Sequence, residues 1–229
     1  MPTTRVVVIT GAAGALGQAV AQAFDDANTH LVLVDVPGAP MPPSDPWHTA
    51  VAADLTDAAV AEVALSTALK PLGPAHVLCN IAGGFSMGTP VHETPGAAWR
   101  HMMEMNVATL VNASHAVVPG MIAEGRGKIV NVAAASAAAG RAGMGAYVLA
   151  KSGVARLTET MALELREHGI NVNAVAPSII DTEANRRSMP SADFSRWVAP
   201  AQLAAVIRFL ASDGASAIHG AVIPVTGLS

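Results

Sequence analysis

Seven short runs of β-branched and apolar residues punctuate this chain, at 5–10, 30–35, 50–54, 76–80, 128–133, 170–176 and 221–225. Most are apolar almost throughout, without the alternation of a half-buried strand. That is the pattern of strands covered on both faces, as in a parallel sheet. Alanine-rich stretches with helical character separate them, at 15–27, 57–69, 95–124, 145–168 and 200–212, and the third is long enough for two helices. Parallel neighbours need a crossover between them, and a helix supplies one. The alternation predicts an α/β fold: a single doubly wound Rossmann-type domain over 1–229, with a seven-stranded, mostly parallel sheet and helices on both faces. Asp57 is placed to cap the stretch at 57–69, because its carboxylate can accept from first-turn amides. Gly169 is placed to end the stretch at 145–168.

Composition narrows the function. Cys79 is the only cysteine, so no intrachain disulfide forms, which fits a reducing compartment. An apolar fraction of 52% is too high for a disordered chain. The net charge of −4, with no basic cluster, argues against a nucleic-acid surface. The uncharged stretch at 105–123 is interrupted by Asn106, Asn112, His115, Pro119 and Gly120, so no membrane span is expected. Residues 1–4 lead straight into a strand-like run without a signal-peptide plan, so the expectation is a cytoplasmic protein. Eight histidines form no metal-ligand spacing, so no metal is expected. The segment 181–199 is too long for an ordinary connection and reads as a lid.

The first run passes through Thr10 and Gly11 to Ala15, Leu16 and Gly17, where a helix begins. Glycines there let backbone amides approach a phosphate, and the helix N-terminus adds partial positive charge. The second run ends in Asp35, 18 residues after Gly17. A carboxylate at that place can accept from the adenosine-ribose hydroxyls and repels a 2′-phosphate, which favours NAD(H) over NADP(H). Asp54 and Leu55 follow the third run, where an adenine ring would lie. Asn80, Ala82 and Gly83 follow the fourth, and the two small residues suit close approach to a cofactor.

Tyr147 is the only tyrosine, and it stands four residues before Lys151, one of three lysines. On a helix the two share a face. A phenol is too weak an acid to exchange protons freely at neutral pH, and a nearby ammonium favours the phenolate. The pair can serve as a general acid/base.

In this order and spacing the motifs closely resemble the short-chain dehydrogenase/reductase family over nearly the whole chain. The resemblance rests on Thr10, Gly11, Ala15 and Gly17, then Asp35, Asp54 and Leu55. It continues through Asn80, Ala82 and Gly83, Asn106, Tyr147 and Lys151, to Pro177 and Thr182. It implies that Tyr147 exchanges the substrate proton, with Lys151 lowering its pKa and binding the nicotinamide ribose. Asn106 would hold a relay water, and the Ile180 backbone with Thr182 would hold the carboxamide. It also implies a homodimer or homotetramer acting on a small-molecule substrate.

Three departures stand out. Ile81 replaces a frequent asparagine and Ser178 a frequent glycine. The family's usual serine, 13 residues before the tyrosine, is Ala134, and the nearest serine is Ser136. Either Ser136 reaches the site by another loop path, or the substrate needs no such donor, as with a conjugated C=N system. The lid from Asp181 to Trp197 resembles that of dihydropteridine reductases, which also lack the serine; these reduce quinonoid dihydropterin with NADH. Two other readings stay open: a ketone or alcohol dehydrogenase using Ser136, and a nucleotide-binding sensor with weakened chemistry.

Overall fold

The computed structural model describes residues 4–229. Seven strands form: β1 (Arg5–Thr10), β2 (Thr29–Asp35), β3 (His48–Ala52), β4 (Val77–Asn80), β5 (Gly127–Val132), β6 (Ile170–Pro177) and β7 (Val222–Val225). They make one sheet in the order β3-β2-β1-β4-β5-β6-β7, and every neighbouring pair is parallel. The sheet is thus wholly parallel, where the sequence predicts a mostly parallel one. The chain builds outward from β1 to β3 and then crosses back to β4. The strand order reverses between β1 and β4, and in doubly wound sheets ligands bind beyond the C-terminal strand ends at such a reversal.

The apolar runs of the inner strands exist because both faces of those strands are buried, whereas the edge strands β3 and β7 are only partly covered. Val6, Val8, Val32, Leu78 and Ile129 face one helix layer, meeting Leu65, Val117, Met121 and Ala162. Val7, Ile9, Leu31, Val77 and Val130 face the other, meeting Leu16, Val20, Phe24, Leu203 and Ile207. Successive residues alternate between the two clusters, so a polar residue in a central strand, such as Asn80 or Asn131, is buried and needs a hydrogen-bond partner. Burying each large side chain contributes about 1.5–3 kcal/mol.

The helices are α1 (Ala15–Phe24), α2 (Ala58–Leu69), α3 (Gly96–Met103), α4 (Thr109–Glu124), α5 (Gly145–Leu165), α6 (Glu183–Ser188) and α7 (Pro200–Leu210). Asp57 caps α2, accepting from Ala59 N at 2.9 Å and Val60 N at 3.1 Å. Gly169, at φ +71°, closes the turn after α5. Boundaries shift where tertiary contacts decide. β3 begins at His48, because its register with Leu31 sets the edge. The 95–124 stretch divides at a π-helical turn, Glu104–Ala108. None of the helices among the described residues is long and apolar enough to cross a membrane.

Two histidines should make the fold acid-sensitive. Val6 N donates to His76 Nδ1 at 3.0 Å, and the Arg126 guanidinium lies 3.1 Å from Nε2. Burial, then the Arg126 and Arg5 charges, hold the His76 pKa below its ordinary 6.5, and burial does the same for His30. Below pH 6.5 the unfolded chain therefore binds more protons than the folded one. The stability these two histidines contribute is full above that pH and is lost as pH drops through their folded values. Urea unfolding at pH 5.0 and 7.5 should show that loss, and His76→Asn, which keeps an acceptor for Val6 N, should shrink it. An unchanged difference would remove His76 from the explanation.

Candidate active site

The turns after β1 and β4 are built against each other. Gly11 has φ +65°, and a Cβ on it would stand 2.9 Å from Ala82 Cα and N. Thr10 Oγ1 ties the two turns, accepting from Ile81 N at 3.0 Å and Ala82 N at 3.1 Å. A Cβ on Gly17 would stand 2.1 Å from Gly11 O, so the start of α1 lies directly on the turn. No side chain caps α1 at Gly14. The first-turn amides, including those of Ala15 and Leu16, are therefore left for an outside acceptor. This glycine cradle at a helix N-terminus fits the diphosphate of a dinucleotide.

Asp35 stands at the end of β2, beside that turn. Its Oδ2 accepts from Ala13 N at 2.9 Å and its Oδ1 from Val36 N at 2.8 Å. Asp54 accepts from Thr56 N at 2.9 Å and Thr56 Oγ1 at 2.7 Å. These bonds hold its carboxyl below the usual range, so it stays ionised. Leu55 is buried, and its carbonyl accepts from Asn112 Nδ2 at 2.9 Å. Asn80 turns inward: its Nδ2 donates to Asn131 Oδ1 at 2.9 Å, and Asn131 Nδ2 donates to Thr158 Oγ1 at 2.9 Å. Asn80 thus holds its turn from beneath and links β4 to α5, while its buried Oδ1 has no protein partner. Asn131 and Thr158 belong to no motif. Their one sequence signal is a polar residue amid apolar neighbours.

Two side chains converge on Gly83. A Cβ there would stand 2.7 Å from Asn106 Oδ1 and 3.1 Å from Lys151 Nζ. Asn106 Oδ1 accepts from Gly84 N at 3.1 Å, and its Nδ2 donates to Met102 O at 3.0 Å. The π turn that carries Asn106 widens the helix where this side chain leaves it, a feature common at functional sites. Lys151 Nζ donates to Val132 O at 2.8 Å. Burial brings its pKa down to about 8.

Tyr147 lies one turn earlier on α5, with the Phe85 ring 4.9 Å away at an interplanar angle of 77°. Burial pushes its phenol up to about 12. This differs from the lowering that the family resemblance implies. The cause is the apolar wall around the ring, and the Lys151 ammonium is engaged with Val132 O. Such a phenol is a proton donor at neutral pH.

Ala134 is buried at the start of a 3-10 turn, Ala135–Ala138. Ser136 lies half-buried in that turn and makes no hydrogen bond to Tyr147. Ser152 Oγ donates to Ala137 O at 2.8 Å, which fastens the turn to α5.

The lid is ordered around a short helix that the sequence reading missed. Pro177 ends β6, Ile180 bridges to Val198, and Thr182 caps α6 by accepting from Asn185 N at 3.2 Å. Thr182 followed by Glu183 was the available signal. Ser178, in place of glycine, donates to Thr226 O at 2.8 Å. Arg186 pairs with Asp181 through bonds of 2.6 and 2.7 Å and lies 4.9 Å over the Phe194 ring. Trp197 is buried and seats the returning chain.

Residues 5–192 match the family model of the short chain dehydrogenases. The chain is 35% identical over 237 residues to a cis-4-hydroxycyclohexanecarboxylate dehydrogenase from Sinomonas cyclohexanicum, covering 97% of this chain and 95% of that one. It is 34% identical over 238 residues to a meso-2,3-butanediol dehydrogenase from Serratia marcescens, covering 97% and 93%. Among solved structures, a levodione reductase superposes with a TM-score of 0.89 at 28% identity, covering 98% of this chain and 97% of that one.

Proposed function

The chain belongs to the short-chain dehydrogenase family, and from that premise we propose an NAD(H)-dependent oxidoreductase that moves hydride between nicotinamide and a small carbonyl-type or planar conjugated substrate. The observation that carries this reading is the convergence of Gly83, Asn106 and Lys151 at the strand-order reversal, one helical turn from Tyr147.

The nicotinamide, when bound, supplies or takes the hydride. The protein does the rest. Gly11, Gly17 and the α1 amides receive the diphosphate, and Asp35 receives the adenosine ribose. Ile180 and Thr182 stand at the lid base, where they can hold the nicotinamide end. Tyr147 gives its proton to the reacting atom, and burial keeps that proton in place until it is needed. Lys151, still mostly an ammonium at pH 7, faces Gly83 together with Asn106 and can resupply the proton.

A second reading is favoured by Ser136. It is half-buried on a turn fastened to α5, and its hydroxyl is not spent on Tyr147. It can donate to a substrate oxygen in place of the residue at Ala134, which would suit ketones and alcohols.

Asp35 makes the cofactor preference testable. A 2′-phosphate beside its carboxylate meets like charge. NADH should bind at least about tenfold more tightly than NADPH, and Asp35→Ser should narrow the gap. Fluorescence titration measures both. Equal affinities in the wild type would reverse the assignment. Steady-state NADH oxidation on simple ketones, quinones and quinonoid dihydropterin tests the activity. Tight binding with no turnover of any of them would instead mark a nucleotide sensor.

A further inference from the structure

Three large apolar side chains stand in the open beside the Tyr147 end of α5. Phe85 is 58% exposed, and Met87 and Val91 are each 63% exposed. Isolated exposed apolar residues need no explanation, but three in one short segment, one of them against the Tyr147 ring, offer a candidate binding surface. The segment that carries them is fastened at its middle and at its far end. Gly88 N donates to Gly143 O at 2.8 Å, joining it to the loop before α5. Val91 sits on the first turn of α5, where a Cβ on Gly145 would stand 2.8 Å from Val91 Cγ2. Beneath it, Gly84 leaves room for Met105, whose Cε would be 2.7 Å from a Cβ there. Neither the stretch 80–91 nor the stretch 142–150 contains a charged residue or a histidine.

The Phe85 and Tyr147 rings, 4.9 Å apart at 77°, enclose a corner. A flat ring laid on the open face of one presents its edge to the other, and aromatic rings gain energy from both arrangements. A puckered ring or an acyclic chain cannot use the corner in this way.

We propose that Phe85 is a specificity-determining residue: the Phe85–Tyr147 corner holds a flat, uncharged ring of the substrate, stacked on Phe85 with its reacting edge toward the Tyr147 hydroxyl. This rests on the site being the one proposed above and adds the class of substrate it takes.

Calorimetric titration with quinoxaline, a flat neutral bicycle, tests it on NADH-saturated protein and on the protein alone, with cyclohexanol as a puckered comparison. Wild type should bind quinoxaline. Phe85→Ala should weaken that binding roughly tenfold, and Phe85→Leu, which keeps bulk without a ring plane, should weaken it nearly as much. Phe85→Tyr should restore it, and cyclohexanol should bind alike in all four proteins. Tyr147→Phe keeps the corner, so it should still bind quinoxaline even as it loses turnover. This separates failure of the corner from failure of the proposed chemistry. The proposal is overturned if wild type does not bind quinoxaline, if Phe85→Ala or Phe85→Leu binds it normally, or if cyclohexanol binding falls in parallel. It is equally overturned if Phe85→Ala changes the sedimentation of the protein, because the patch would then be a contact between copies.

Discussion

A Tyr147→Phe variant should lose about 10²- to 10⁴-fold in kcat/KM on the true substrate while its NADH affinity and melting temperature stay at wild-type values. The reason lies in what the substitution removes. The phenol oxygen has no hydrogen-bond partner among the described residues, so its loss leaves no buried group unpaired. The ring itself remains, with its 4.9 Å contact to Phe85. Only the hydroxyl, and with it the exchangeable proton, goes. The loss falls on a site where Ala134 offers no second donor, so little stands in for it unless Ser136 does. The same phenol gives a directional pH dependence. With its pKa near 12, it is protonated throughout the neutral range and ready to act as an acid. Reduction should therefore be nearly independent of Tyr147 titration between pH 6 and 8. Oxidation needs the phenolate, so its kcat/KM should climb with pH across the same range. Initial rates in both directions check this. A Tyr147→Phe enzyme that turns over its substrate at the wild-type rate would remove Tyr147 from the chemistry altogether.

Much of this architecture is legible in sequence because it is local. A strand buried on both faces has to be apolar at successive positions, so Val6 to Ile9 announces itself without any knowledge of partners. Asp57 and Gly169 act within one helical turn of themselves, and both sit where the sequence places them. The spacing of Tyr147 to Lys151 is likewise a property of one helix. What the sequence hides depends on distant contacts. The start of β3 at His48 is set by register with β2. The π turn at Asn106 carries a side chain whose partner, Gly84 N, lies 22 residues away. Asn80 sits within a nucleotide-turn motif, yet its side chain faces Asn131 on the neighbouring strand. The Tyr147 phenol illustrates the same limit. Helical spacing puts a cation on its face, but the burial that sets its acidity comes from elements far away in the chain.

Gly17 ties the proposed cofactor cradle to the proposed reaction centre, and Gly17→Ala should damage both. The added Cβ would lie 2.1 Å from Gly11 O and 2.7 Å from Ala12 Cα, both backbone atoms that cannot rotate away. Gly11 has nowhere to retreat, since a Cβ-sized displacement on its other side runs into Ala82 at 2.9 Å. Pressure on Ala82 reaches Gly83, which already touches Asn106 and Lys151. Overpacking of this kind costs about 1–3 kcal/mol. NADH affinity should fall by about a hundredfold as the amides of the cradle splay. Gly14→Ala is the matched control. Its Cβ would stand at an ordinary 3.4 Å from Gly11 O, and its φ of −72° suits any residue. That variant should fold and bind NADH close to wild type. Urea unfolding and NADH fluorescence titration of the two proteins decide the matter. If Gly17→Ala bound NADH as well as Gly14→Ala does, the close approach of α1 to the Gly11 turn would not be what shapes the diphosphate site.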